Sequence, residues 1–364
     1  MENRSKIKQE QDLNILANIR DLNVDYKKHE EQTQKSGASQ LKIDETNYKV
    51  FPLLDENAEY KINAIDYRGD IQLNSKKELS DYSGPFRYDL RFSDFSEKAL
   101  VNLLWASYEY YELLVQLWGA EVSRRKGAEM MKEIQSGAWK TIIEKIPAMI
   151  EDWNGFPVEK MPEIGSDIIT FSPFKPDERY LECNKERLVK LALGSHEFCL
   201  RAIEAWSTQV IMRYGLDEMF SIQWDLWSDK ALKQTREIKI KWMNVDGGES
   251  TPVEAFMKDI QLDATSFPGK AFEMTFEMPD RNTGIVGFNK CCSVDQWEAL
   301  GRPDILKKNC HSVCPASMIV TGKMYDPNFK VDVLAIPPRK SKEYVCCRFK
   351  LSLRDKSDPE YVAV

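Results

Sequence analysis

Six of the eight cysteines fall in the last 74 residues: Cys291, Cys292, Cys310, Cys314, Cys346 and Cys347. Thiolates support two kinds of chemistry, metal ligation and nucleophilic attack. In the first, Cys292, Cys310, Cys314 and Cys347 would hold zinc or iron, which favours four soft ligands in a tetrahedron. The Cys310-x-x-x-Cys314 spacing is wider than a zinc knuckle, so a site with no metal stays equally open. In the second, Cys310 is the nucleophile, His311 its acid or base, and Cys347 a supporting thiol. A third reading has the thiols lining a core between sheet and helix, since free cysteine is a common buried residue. Successive side chains of a strand point to opposite faces, so only one cysteine of each doublet can face a given site.

A second constellation lies upstream. Glu109 and Glu197 occupy equivalent positions of an internal repeat, and His196 adjoins the second of them. Two carboxylates across a pseudo-two-fold axis could bind a metal or exchange protons. The Glu-x-x-His pattern of di-iron bundles is absent, because Glu112 and Leu200 stand three residues on. Paired or solvent-facing carboxylates are the alternative. The recurrent tryptophans (Trp105, Trp118, Trp139, Trp206, Trp224, Trp227, Trp242) suit a core more than a cofactor box.

The elements that must position these residues follow from periodicity. Residues 97–125 carry apolar positions at helical spacing and stop at Gly127; a second helix is expected from Ala128 to Ile146, where Pro147 could kink or end it. Shifted by 88, residues 188–227 match residues 100–139 without a gap at 13 of 40 positions. Matched pairs include Ser107 with Ser195, Trp118 with Trp206, Arg125 with Arg213 and Gly127 with Gly215. Two copies of a helix–Gly–helix hairpin, over 97–146 and 185–239, make a four-helix layer within a region 95–245. Between them, residues 152–182 are rich in Gly and Pro and read as a long crossover. Residues 1–35 suggest an amphipathic helical arm (Leu13, Ile15, Leu16, Ile19, Leu22), followed by a Ser36–Ser39 linker and an irregular extended segment over 40–94.

Region 246–364 reads as an antiparallel sheet. Strands are expected at 271–278, 283–290, 318–324, 330–336 and 344–353, with one helix inserted at 293–309. The fold class is therefore α+β, duplicated helical hairpins first and sheet afterwards.

Composition narrows the function. A net charge of −7 and a 42% apolar content describe a globular acidic chain, a poor partner for nucleic acid. No apolar run spans a membrane and the N-terminus lacks an apolar signal region, so a cytoplasmic location with reduced thiols and no membrane partner is expected. Phosphate loops, the GxSxG elbow and HExxH are missing.

The order Cys291-Cys292, helix, Cys310-His311-x-x-Cys314, Asp326-Pro327-Asn328, Cys346-Cys347-Arg348-Phe349 resembles the L-2-amino-thiazoline-4-carboxylic acid hydrolase family over residues 270–350. The resemblance implies a hydrolase that opens a small heterocyclic or amide-like ring, with Cys310, His311, Cys314 and Cys347 near the site. The duplicated hairpin and the doubled cysteines depart from that family's pattern. A similar helix-then-sheet order in 4-vinyl-reductase-type sensing domains implies instead a binding module. The expectation is thus a cytosolic hydrolase of a small organic molecule, forming a homo-oligomer or acting alone. The alternatives are a non-enzymatic small-molecule or metal-binding sensor, or an accessory subunit docked through residues 1–35.

Overall fold

A computed structural model describes residues 51–56, 58–74, 78–153, 173–226, 229–299 and 301–363. The expected arm over 1–35 and the linker after it lie outside these residues, as does most of the crossover.

Helix α1 (Glu97–Lys126) starts where Ser96 accepts a hydrogen bond from the Ala99 amide, a cap that contributes about 1 kcal/mol. It ends at Gly127, and α2 (Ala128–Trp153) follows at once. The expected stop at Pro147 does not occur; proline removes one backbone bond there, and the helix runs on to Trp153. The second copy is α3 (Lys185–Leu226), whose one non-helical residue is Gly215. Gly127 and Gly215 share the same backbone, with φ of 90° and 85°. Helix α4 (Asp229–Met243) closes the layer, and Trp105 stacks on Trp242 with ring centroids 5.7 Å apart. Leu100, Leu103, Leu188, Leu191 and Val210 build the shared apolar core. Trp118, Trp139 and Trp206 lie in that core, and Trp224 and Trp242 pack against it. At the described end of the crossover Phe174 packs on Phe198.

Helix α5 (Pro252–Gln261) was not expected. Its signal was Thr251-Pro-Val-Glu254, a capping box in which the Thr251 hydroxyl accepts from the Glu254 amide and Glu254 accepts from the Thr251 amide.

The sheet has four antiparallel strands in the order β1 (Phe272–Asp280), β2 (Thr283–Cys291), β4 (Cys347–Leu353), β3 (Phe329–Ala335). The expected strand at 318–324 is a correction: this segment lies in a helix. Between β2 and β3 run α6 (Cys292–Ala299), α7 (Pro303–Lys308), a π-helical turn (Asn309–Val313) and α8 (Cys314–Lys323). Pro315 in the first turn of α8 favours a helix start. At its other end a β-carbon on Gly322 would stand 2.1 Å from the Phe329 ring. Packing overrides the β-branched Ile319-Val320-Thr321 run. The last strand also begins later than expected. Residues 343–345 bond instead to the extended segment, through Ile62 N to Glu343 O (2.9 Å) and Val345 N to Tyr60 O (2.9 Å).

Candidate functional site

The π turn ends at Val313, directly between Cys310 and Cys314. An α-helix advances by more than a turn over four residues, so positions 310 and 314 would be offset. A π turn is wider, bonding i to i+5, and positions four apart still share a face across it. The Cys310 and Cys314 thiols lie close enough to act on each other directly. Cys310 holds Cys314 below the usual thiol range, and the same neighbour, together with burial, raises Cys310, which is 4% exposed. Cys347 at the start of β4 and Cys291 at the end of β2 complete the group, each close enough to Cys314 for its charge to be felt. Burial pushes both well above the normal range.

Only one member of each doublet belongs to a strand: Cys291 ends β2 and Cys292 starts α6, while Cys347 opens β4 and Cys346 stands just before it. Cys347 and Cys291 turn to the sheet core. Cys292 does not, which corrects its place in the expected ligand set: it packs on the helical core beside Glu204 and Arg201, pushed up to about 11 by burial. Cys346 lies in the same sheet-side core as Cys310 and Cys347, fully buried, and is pushed up to about 12 by burial, despite the Arg339 guanidinium. Arg339 Nη1 donates to Cys346 Sγ at 3.0 Å, and Arg339 is paired with Asp295 and Glu298. Nothing in the sequence singled out Arg339, because its partners come from α6 and from Cys346, just before β4.

His311 is spent elsewhere. Its Nε2 donates to the Pro337 carbonyl at 2.8 Å, and its own carbonyl accepts from the Phe51 amide. It anchors the segment leading to Arg339. Among the described residues no three His, Cys, Asp or Glu side chains are grouped so as to hold a metal ion.

The upstream constellation separates. Glu109 pairs with Lys241 at 2.6 Å beside an open groove of about 330 Å³ between α1 and α4. Glu197 is buried, with Arg201 3.8 Å away. His196 is fully buried against Phe92 (5.1 Å, edge-on), and neither ring nitrogen has a hydrogen-bond partner. Burial pulls it down to about 3. These three residues belong to the helical layer, apart from the thiols.

No helix among the described residues is long and apolar enough to cross a membrane. No family model matches the chain, and no curated protein does. One solved chain, from work described as structural insights into the molecular mechanism of H-NOX activation, aligns at 10% identity over 66% of this chain and 95% of its own, with a TM-score of 0.24. So low a score carries no argument about fold or function.

Proposed function

We propose that this chain is a thiol-based sensor module, in which oxidation joins Cys310 to Cys314. The observation that carries this reading is the facing of the Cys310 and Cys314 thiols across the junction of the π turn and α8, with Cys291 and Cys347 beside them. A hydroperoxide is the oxidant class that a small, nearly closed thiol site admits. The Cys314 thiolate attacks the peroxide oxygen, the O–O bond breaks, and an alkoxide or hydroxide departs, leaving a sulfenic acid. Cys310 then attacks that sulfur, the S–O bond breaks, and the departing hydroxide takes the Cys310 proton as water. Such a sensor works in a reducing compartment, which agrees with the cytoplasmic expectation.

The hydrolase reading asks the same cysteines for a thiolate that substrate can reach. Cys310 is protonated and closed off, and His311 is committed to a backbone carbonyl. The sensor reading uses those properties; the hydrolase reading works against them.

The test is limited oxidation of the full chain with hydrogen peroxide, alkylation of the remaining thiols and peptide mapping. A Cys310–Cys314 disulfide, absent from Cys314→Ser, is the expected product. Full oxidation that leaves both thiols free overturns the reading. So does one equivalent of zinc or iron that protects Cys291, Cys310, Cys314 and Cys347 together.

A further inference from the structure

Helix α5 carries a lysine with an unusual set of partners. Lys258 is 0% exposed, yet among the described residues no carboxylate comes within ion-pair distance of it. Its Nζ donates to Ser250 Oγ at 2.7 Å and lies 5.2 Å from the centre of the Tyr82 ring. The other buried lysine, Lys239, is paired directly with Asp259. The carboxylates that face Lys258 are each engaged elsewhere. Asp81 accepts from Ser83 and Asn244, Glu254 from Thr251 and Arg281, and Asp246 from Arg236. A buried ammonium with one hydroxyl acceptor is poorly solvated and gives up its proton readily.

Ser250 is suited to receive such an amine. It is partly exposed, it sits in the loop Gly247–Thr251, and its hydroxyl hydrogen points to the Gly247 carbonyl at 2.8 Å. Gly248 in that loop adopts φ +67°, and a β-carbon there would stand 2.8 Å from the Ser83 carbonyl oxygen, so the turn is held tightly against the residues around Tyr82. While Lys258 is charged the Ser250 hydroxyl accepts from it and donates to Gly247. Once Lys258 is neutral, the hydroxyl can turn its proton from Gly247 to the amine 2.7 Å away, which makes a solvent-side nucleophile with a buried base behind it.

We infer that Ser250 and Lys258 form a serine–lysine pair that transfers the acyl group of a small ester or amide. The neutral Lys258 amine takes the Ser250 proton as Oγ bonds to the acyl carbon. The C–O or C–N bond to the leaving group then breaks, and the leaving group departs with the proton from Lys258. Water next attacks the acyl-serine, Lys258 accepts its proton, and the Ser250 Oγ–acyl bond breaks to release a carboxylic acid and restore the hydroxyl. None of these residues belongs to the thiol group, so the inference stands or falls apart from the sensor reading.

The test is labelling of the full chain with a fluorophosphonate, which phosphonylates an activated serine with loss of fluoride, read by intact mass and peptide mapping. One adduct on Ser250 is expected. Its rate should rise with pH as Lys258 loses its proton, near pH 8, where burial places that group against the opposing pull of Glu254, Asp81 and Asp246 and with the help of Arg281. Ser250→Ala should carry no adduct, and Lys258→Met should slow labelling by about 100-fold or more with its circular dichroism intact. Should Lys258→Met not fold, the pH profile of the native chain decides. No adduct on Ser250 between about pH 6 and pH 10 overturns the pair, as does a rate that ignores the titration range of a depressed lysine.

Discussion

Trp118 and Trp206 are 88 residues apart in sequence and pack on each other, ring centroids 6.4 Å apart and planes inclined by 35°. Each is the other's counterpart in the internal repeat. A residue that touches its own copy lies on the axis relating the two copies, so this pair marks the pseudo-two-fold of the helical layer. Lys126 and Tyr214 repeat the relationship, with the ammonium 4.5 Å from the ring centre. The salt bridge from Arg125 to Glu121 has its counterpart in the hydrogen bond from Arg213 to Gln209.

The two hinge glycines follow from the same symmetry and give the first prediction. Gly127 has φ 90° and ψ 161°, a region essentially restricted to glycine. A β-carbon there meets nothing within 4 Å, so the cost of Gly127→Ala is backbone strain alone. We expect a loss of about 1–3 kcal/mol in urea unfolding, and a similar loss for Gly215→Ala. A neutral effect at both positions would mean that the hairpins turn without a left-handed residue.

His196 gives a pH prediction. Its folded-state value, about 3, lies below that of an unfolded histidine because burial penalises the charged ring. Arg68 and Lys239 face it and add to the depression, while Asp263 opposes it. Between about pH 3 and 6.5 the unfolded chain binds a proton that the folded chain does not. Stability from this residue is therefore fully present above pH 6.5 and falls as the solution is acidified, by up to about 1.4 kcal/mol per pH unit. His196→Phe should flatten that part of the stability–pH curve. An unchanged slope would show that other groups dominate acid unfolding.

The helical repeat was legible because helix periodicity and a gap-free 88-residue shift are both local properties of the sequence. The cysteine doublets were legible only as a rule. Alternation applies only where both members lie in a strand, and here the pairing of Phe272 with Cys291 and of Phe288 with Cys347 ends the strands between the two members of each doublet, which is decided between strands. Cys292 was therefore placed in the thiol group where Cys291 belongs. The residues 318–324 were misread because Ile319, Val320 and Thr321 favour a strand locally, whereas Pro315 and the contact of Gly322 with Phe329 impose a helix. Ser250 and Lys258 were passed over together with α5, although Thr251 and Glu254 announce its start.

That contact of Gly322 supplies a third prediction. Adding one methyl group at Gly322 forces the Phe329 ring out of its site against Phe256, with which it packs edge-on at 4.9 Å. Gly322→Ala should cost about 1–3 kcal/mol by overpacking, although alanine is the better helix former. A more stable Gly322→Ala would show that Phe329 has room to turn.

The buried ion pair between α4 and α5 gives the last. Lys239 and Asp259 are 7% and 2% exposed at their side chains, and Tyr325 donates to the other Asp259 oxygen at 2.8 Å. Burial alone would lower the Lys239 value, but Asp259 and Asp263 outweigh it and keep the ammonium charged. Removing one partner leaves the other charge in the interior, so Lys239→Met should destabilise the chain by about 3–5 kcal/mol. Replacing both with apolar residues removes the uncompensated charge, and the double variant Lys239→Met/Asp259→Leu should recover part of that loss. Tyr325 limits the recovery, because its hydroxyl then loses its acceptor. Introducing Tyr325→Phe into the double variant should restore more. The unfolding curves of the native chain, Lys239→Met, Asp259→Leu, the double variant and the double variant with Tyr325→Phe measure this directly, and a double variant as unstable as the sum of the two single variants would mean that Lys239 and Asp259 act independently.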